Sequence, residues 1–89
     1  MRLTFDGEAR AFYVYVRDED ADVAMTKPIM QDELLVDYDK EGRLVGIEIL
    51  GDPRYLAWVP KLLAQHDVPV PEHIHFDRLA TAFEFAKAA

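Results

Sequence analysis

The sequence contains no cysteine and no serine. Without thiols there is neither a disulfide framework nor a thiolate site, which suits a reducing compartment. Without serine, the aliphatic hydroxyls are Thr4, Thr26 and Thr81. None stands beside a histidine or in a glycine elbow, so nucleophilic catalysis has no visible apparatus. The four glycines, Gly7, Gly42, Gly46 and Gly51, do not match a phosphate-cradling loop. No apolar run approaches a bilayer span, and the start, Met1-Arg2-Leu3-Thr4-Phe5-Asp6, has no apolar signal segment. These absences lead us to expect a soluble cytoplasmic protein that is not an enzyme, holds no cofactor and does not enter a membrane.

Basic residues are scarce too, 10 against 17 acids, for a formal net charge of -7. The imbalance is local: residues 1–52 hold 13 acids and 6 bases, whereas residues 53–89 hold 4 of each. An acidic surface of this kind repels phosphate backbones, so direct nucleic-acid contact is not expected. It favours solubility and permits a basic protein partner. A chain of 89 residues fits one domain with a modest core, which places function at a surface groove or interface.

The organising stretch is residues 34–50, two apolar runs joined by a polar bend. Leu34 and Val36 alternate with Leu35 and Asp37, and Val45, Ile47 and Ile49 alternate with Leu44, Gly46 and Glu48. A period of two predicts a hairpin, with Gly42 free to take a positive φ at the bend. Asp37, Asp39, Glu41, Gly42 and Glu48 also fall at positions 1, 3, 5, 6 and 12 of a calcium-binding EF-hand loop. That loop needs a helix on either side; the flanks here have the strand period, so the bend reads as architectural.

Upstream, residues 2–5 and 11–17 predict strands. In the second, Phe12, Val14 and Val16 share one face and Tyr13, Tyr15 and Arg17 the other. Residues 23–30 predict a third strand, placed at an edge by Pro28. Downstream, Gly51 ends the hairpin, Asp52 is a good N-cap and Pro53 suits a first helical position. Leu56, Val59, Leu62 and Leu63 recur at helical spacing, and Pro60 predicts a kink or two short helices meeting near Val59. Residues 76–88 predict a last helix with Phe76, Leu79, Ala80, Phe83 and Lys87 on one side. The expected fold is α+β: a small antiparallel β-meander of four to five strands packed by one or two C-terminal helices. It forms a single domain over residues 1–89, with the meander in 1–51 and a helical extension in 52–89.

Few residues invite chemistry. His73, His75 and Asp77 alternate, as strand ligands of zinc can, but with no cysteine to complete a four-ligand site no metal is assigned to them. Tyr13 and Tyr15 present an aromatic face with polar tips, suited to a partner or to self-association as a homodimer. Asp18, Asp20 and Asp22 lie in an acidic turn that is a candidate contact for a basic surface. Phe83 is a further contact candidate, because the last helix has an apolar side to cover, on its own sheet or across a dimer boundary.

Phe5-Asp6-Gly7-Glu8-Ala9, then Ala11-Phe12-Tyr13-Val14, and above all the pattern DYD-x-x-GR-x-x-GIEIL from Asp37 to Leu50, resemble the short bacterial proteins of domain-of-unknown-function family 2283. The resemblance spans residues 2–51 and implies a small sheet with no established activity. Through relatives beside small toxin-like genes it also implies an antitoxin or binding role. The chain departs from the pattern at Arg10, where relatives tend to have an acid, and from Asp52 onward, where the resemblance ends. A non-catalytic protein-interaction module is the expected function. The alternatives are an acidic, antitoxin-like inhibitor of a basic protein surface, and a minor metal protein or enzyme using His73, His75 and Asp77.

Overall fold

In the computed structural model, residues 1–17 and 20–88 are described, with side chains described through residue 83. The chain divides into two compact units, Met1–Gly51 and Asp52–Ala89.

The first unit is a five-stranded antiparallel sheet built from β1 (Arg2–Asp6), β2 (Ala11–Tyr15), β3 (Met25–Met30), β4 (Leu34–Tyr38) and β5 (Leu44–Leu50). Each turn between neighbouring strands has a local cause. The Asp6 carboxylate accepts from the amides of Glu8 and Ala9 at 3.0 and 3.2 Å, and the reversal ends at Arg10 with φ 52°. Glu33 N–H closes the next turn on the Met30 carbonyl after Gln31 takes φ 49°.

The strand order is β1-β2-β5-β4-β3. The sheet is antiparallel and carries two helices after it, as expected, but it is not a simple meander: β5 lies between β2 and β4. The arrangement is a Greek key whose long connection comes first. Composition explains the difference. The run Leu44-Val45-Gly46-Ile47 is wholly buried, so β5 takes the centre, while β3 is exposed along its whole length and carries Pro28, which suits an edge. Residues 16–24 therefore connect β2 to the far edge, about 14 Å away at three strand spacings, well within the ~30 Å that nine residues can reach.

One face of the sheet is the apolar one. Phe12 pairs Ile49, which pairs Leu34; Val14 pairs Ile47, which pairs Val36, and all six are buried. The second face carries Thr4, Tyr13, Tyr15, Thr26, Leu35, Asp37, Gly46 and Glu48.

The second unit begins as the sequence predicts. Asp52 caps a 3-10 turn over Pro53–Trp58 by accepting from Arg54 N–H at 3.0 Å, with Pro53 in the first turn. The α-helix α1 (Val59–Gln65) then starts afresh, so Pro60 falls in a first turn where its missing donor costs nothing. The two short helices do meet near Val59. α1 ends in a Schellman arrangement: Val68 N–H reaches the Leu63 carbonyl at 2.9 Å, Asp67 N–H reaches that of Ala64, and Asp67 stands at φ 56°. The last helix, α2 (Phe76–Ala88), packs on the 3-10 turn, and Leu56, Val59, Leu62, Leu63, Phe76 and Ala80 are buried.

Candidate functional site

The polar groups that burial and partners single out lie on the second sheet face and at one end of the sheet. On that face Gly46 stands opposite Tyr15 on one side and Asp37 on the other. Tyr13 sends its phenol diagonally across β5, over Gly46, and donates to Asp37 Oδ2 at 2.6 Å. Its ring lies so close that a Cβ at position 46 would sit 2.5 Å from Tyr13 Cζ and 2.6 Å from Cε1. Thr26 Oγ1 donates to the other oxygen, Asp37 Oδ1, also at 2.6 Å. The buried carboxylate thus ties β2, β4 and β3 together across the backbone of β5.

The electrostatics of this face follow from that tie. Burial first, then the hydrogen bond to Asp37 and the charges of Asp37, Tyr15 and Glu48, push the Tyr13 phenol well above its ordinary range, so it stays a neutral donor. Burial and, next, the charge of Asp37 push the half-buried Glu48 carboxyl up. A raised folded value means that the fold holds a proton more readily than the unfolded chain, so charged Glu48 costs stability as pH rises through that value. Glu48→Gln is therefore expected to raise Tm at pH 7 by about 2 °C, a figure kept small because the group is partly solvated. The gain should vanish below the ordinary glutamate range. A melting series over pH checks this, and a gain independent of pH rules it out.

The second cluster surrounds Asp39 in the β4–β5 bend. Its Oδ1 accepts from the amides of Glu41 and Arg43 at 3.0 and 2.8 Å, and its Oδ2 accepts from Arg43 Nε at 2.9 Å and from Arg17 Nη1. Gly42 N–H closes the turn on the Asp39 carbonyl, and φ 80° at Gly42 completes it. Arg17 reaches this point through a bulge. Val16 and Arg17 both donate to the Val45 carbonyl, at 3.0 and 3.3 Å, and such a two-onto-one pairing re-aims the side chain that follows. Burial works to raise the Asp39 carboxyl, but the backbone and side-chain hydrogen bonds of Arg43, its charge and the Glu41 amide outweigh it and hold the group below the usual range.

The residues singled out in the sequence are not brought together. Tyr13 and Tyr15 are, with ring centroids 4.5 Å apart and both half-buried, and the Arg2 guanidinium lies over the Tyr15 ring at 5.7 Å. Asp20 and Asp22 are exposed in the β2–β3 connection, and Asp18 lies outside the described residues. Phe83 is half-buried on the side of α2 that carries Phe76 and Ala80. His73 sits in a turn rather than an extended run, and His75 and Asp77 are exposed around the start of α2. Among the described residues no three His, Asp or Glu side chains are grouped to hold a metal, and no helix is long and apolar enough to cross a membrane. Reading residue by residue missed the joint role of Thr26, Asp37 and Gly46. The available signal was Gly46 itself, since a glycine inside a strand pattern marks a bulge or a close approach.

The model of the family described as "Protein of unknown function (DUF2283)" matches residues 2–51. That span contains the hairpin signature and every member of both clusters. No curated protein matches the chain, and no solved structure does.

Proposed function

Starting from the fact that the chain belongs to the DUF2283 family, whose function is unknown, we propose that it acts in the cytoplasm by binding a protein partner through its sheet, and not by catalysis. The observation that carries this reading is the fixed aromatic platform of Tyr13 and Tyr15. The Tyr13 phenol is held by Asp37, the second ring lies against the first, and both remain half-exposed. A large, rigid, partly wet surface of this type binds at little cost in side-chain entropy. Polar groups that could serve acid–base chemistry are occupied instead: Asp37 by two hydroxyls and Asp39 by two arginines.

A second reading, an acidic inhibitor of a basic surface, is favoured by the confinement of the whole net charge of -7 to residues 1–52. Capture of a partner from the native host by the full chain, compared with Tyr15→Ala, tests the first reading. At least a tenfold loss is expected from the variant, and equal retention by both proteins removes it. Affinity that falls steeply with salt selects the inhibitor reading, and a flat response selects an apolar contact. The mass of the chain in solution, measured alongside, reports whether the partner is a second copy.

A further inference from the structure

We infer that the second face of the sheet receives an arginine of a basic protein segment, its guanidinium lying against Glu48 and the rings of Tyr13 and Tyr15, above the buried Asp37. This rests on the binding reading above and names the chemistry of the partner.

Charge is the first argument. Asp37 and Glu48 are diagonal neighbours on one face, since Glu48 pairs Leu35 two positions along β4. Among the described residues neither is paired with a lysine, arginine or histidine, whereas Asp39, Glu41 and Asp52 each have an arginine. Asp37 is buried and each of its oxygens is held by a hydroxyl, so it contributes its charge from beneath, while the half-exposed Glu48 offers the open acceptor. Burial first and the Asp37 charge second lift the Glu48 carboxyl, and a cation placed there would relieve the second of these.

The rings are the second argument. The face already accommodates one guanidinium, that of Arg2, over the Tyr15 ring at 5.7 Å. A planar guanidinium stacks on an aromatic face while its fork reaches carboxylate oxygens, which an ammonium cannot do at once. A calcium ion would need six to eight oxygen ligands, more than two carboxylates and two hydroxyls supply. A second copy of the chain would bring four carboxylates together in the acidic unit, so a basic segment is the occupant to which the face is complementary.

The test titrates the full chain with a short peptide of alternating arginine and glycine, and with its lysine counterpart, followed by amide NMR shifts and calorimetry. The arginine peptide is expected to bind saturably, to shift the amides of Asp37, Gly46 and Glu48, and to bind several-fold tighter than the lysine peptide. Glu48→Gln should weaken it about tenfold, and Tyr15→Leu reads the same site independently through the ring. Equal affinity for the two peptides, no measurable binding, shifts confined to the segment of Asp20 and Asp22, self-association through this face, or full affinity in both variants each overturns the inference. The broader reading fails separately, on its own capture experiment with Tyr15→Ala.

Discussion

Replacing Gly46 by alanine is expected to destabilise the protein by about 2–4 kcal/mol, which lowers Tm by roughly 10–20 °C for a chain of this size. Glycine is required here for space, because the added methyl would occupy the volume of the Tyr13 ring. The strand backbone cannot retreat, being paired on both sides by β2 and β4. Tyr13 must therefore swing away, which exposes its ring and leaves the buried Asp37 with Thr26 as its one remaining donor among the described residues. Loss of a hydrogen bond to a buried charged group, together with the lost ring contact, accounts for the expected magnitude. A double-mutant cycle isolates the cause. Tyr13→Ala removes the obstructing ring, so Gly46→Ala should add little further loss in that background, whereas Tyr13→Phe keeps the ring and should not relieve the clash. Additive losses in the Tyr13→Ala background would place the role of Gly46 elsewhere.

This prediction marks where the sequence was legible and where it was not. Local signals were reliable: the period of two in residues 34–50, the glycine of the bend, the edge position of Pro28, the cap at Asp52 and the restart of the helix at Pro60 each have a cause within a few residues. Strand order has no such local cause. That β5 pairs β2 depends on comparing the apolar content of the strands, and the consecutive-pairing expectation misses the insertion. The polar ties are still less visible. Thr26, Asp37 and Tyr13 stand 11 and 24 residues apart, and only the register brings them onto one face over a position without a side chain. In the sequence, Asp37, Asp39 and Glu48 belong to one resemblance to an ion-binding loop; in the fold Asp37 and Glu48 share a sheet face, while Asp39 organises the bend.

Asp39 is the other position where a large effect is expected: Asp39→Ala should lower Tm by on the order of 10 °C. One carboxylate serves two purposes. Its Oδ1 holds the amides of Glu41 and Arg43, which shape the β4–β5 bend, and its Oδ2 holds the guanidinium of Arg17, which anchors the start of the long connection toward β3. Alanine leaves two amides to find water and two arginines without their shared acceptor. Asn should restore much of the loss, because its oxygen can still accept from the two amides. It cannot restore the charge, and that separates the two roles by pH. A carboxyl held below its ordinary value binds fewer protons in the folded than in the unfolded chain, so its contribution is complete above the ordinary aspartate range and disappears as pH falls through the folded value. The wild type should therefore lose stability toward acid more steeply than Asp39→Asn, and the two melting curves should converge at low pH. Arg17→Ala and Arg43→Ala should each have a smaller effect, since their side chains are 39% and 61% exposed and each removes one donor of several. Parallel pH profiles for wild type and Asp39→Asn would show that the bend is held by its backbone contacts alone and that the ion pairs with Arg17 and Arg43 contribute nothing.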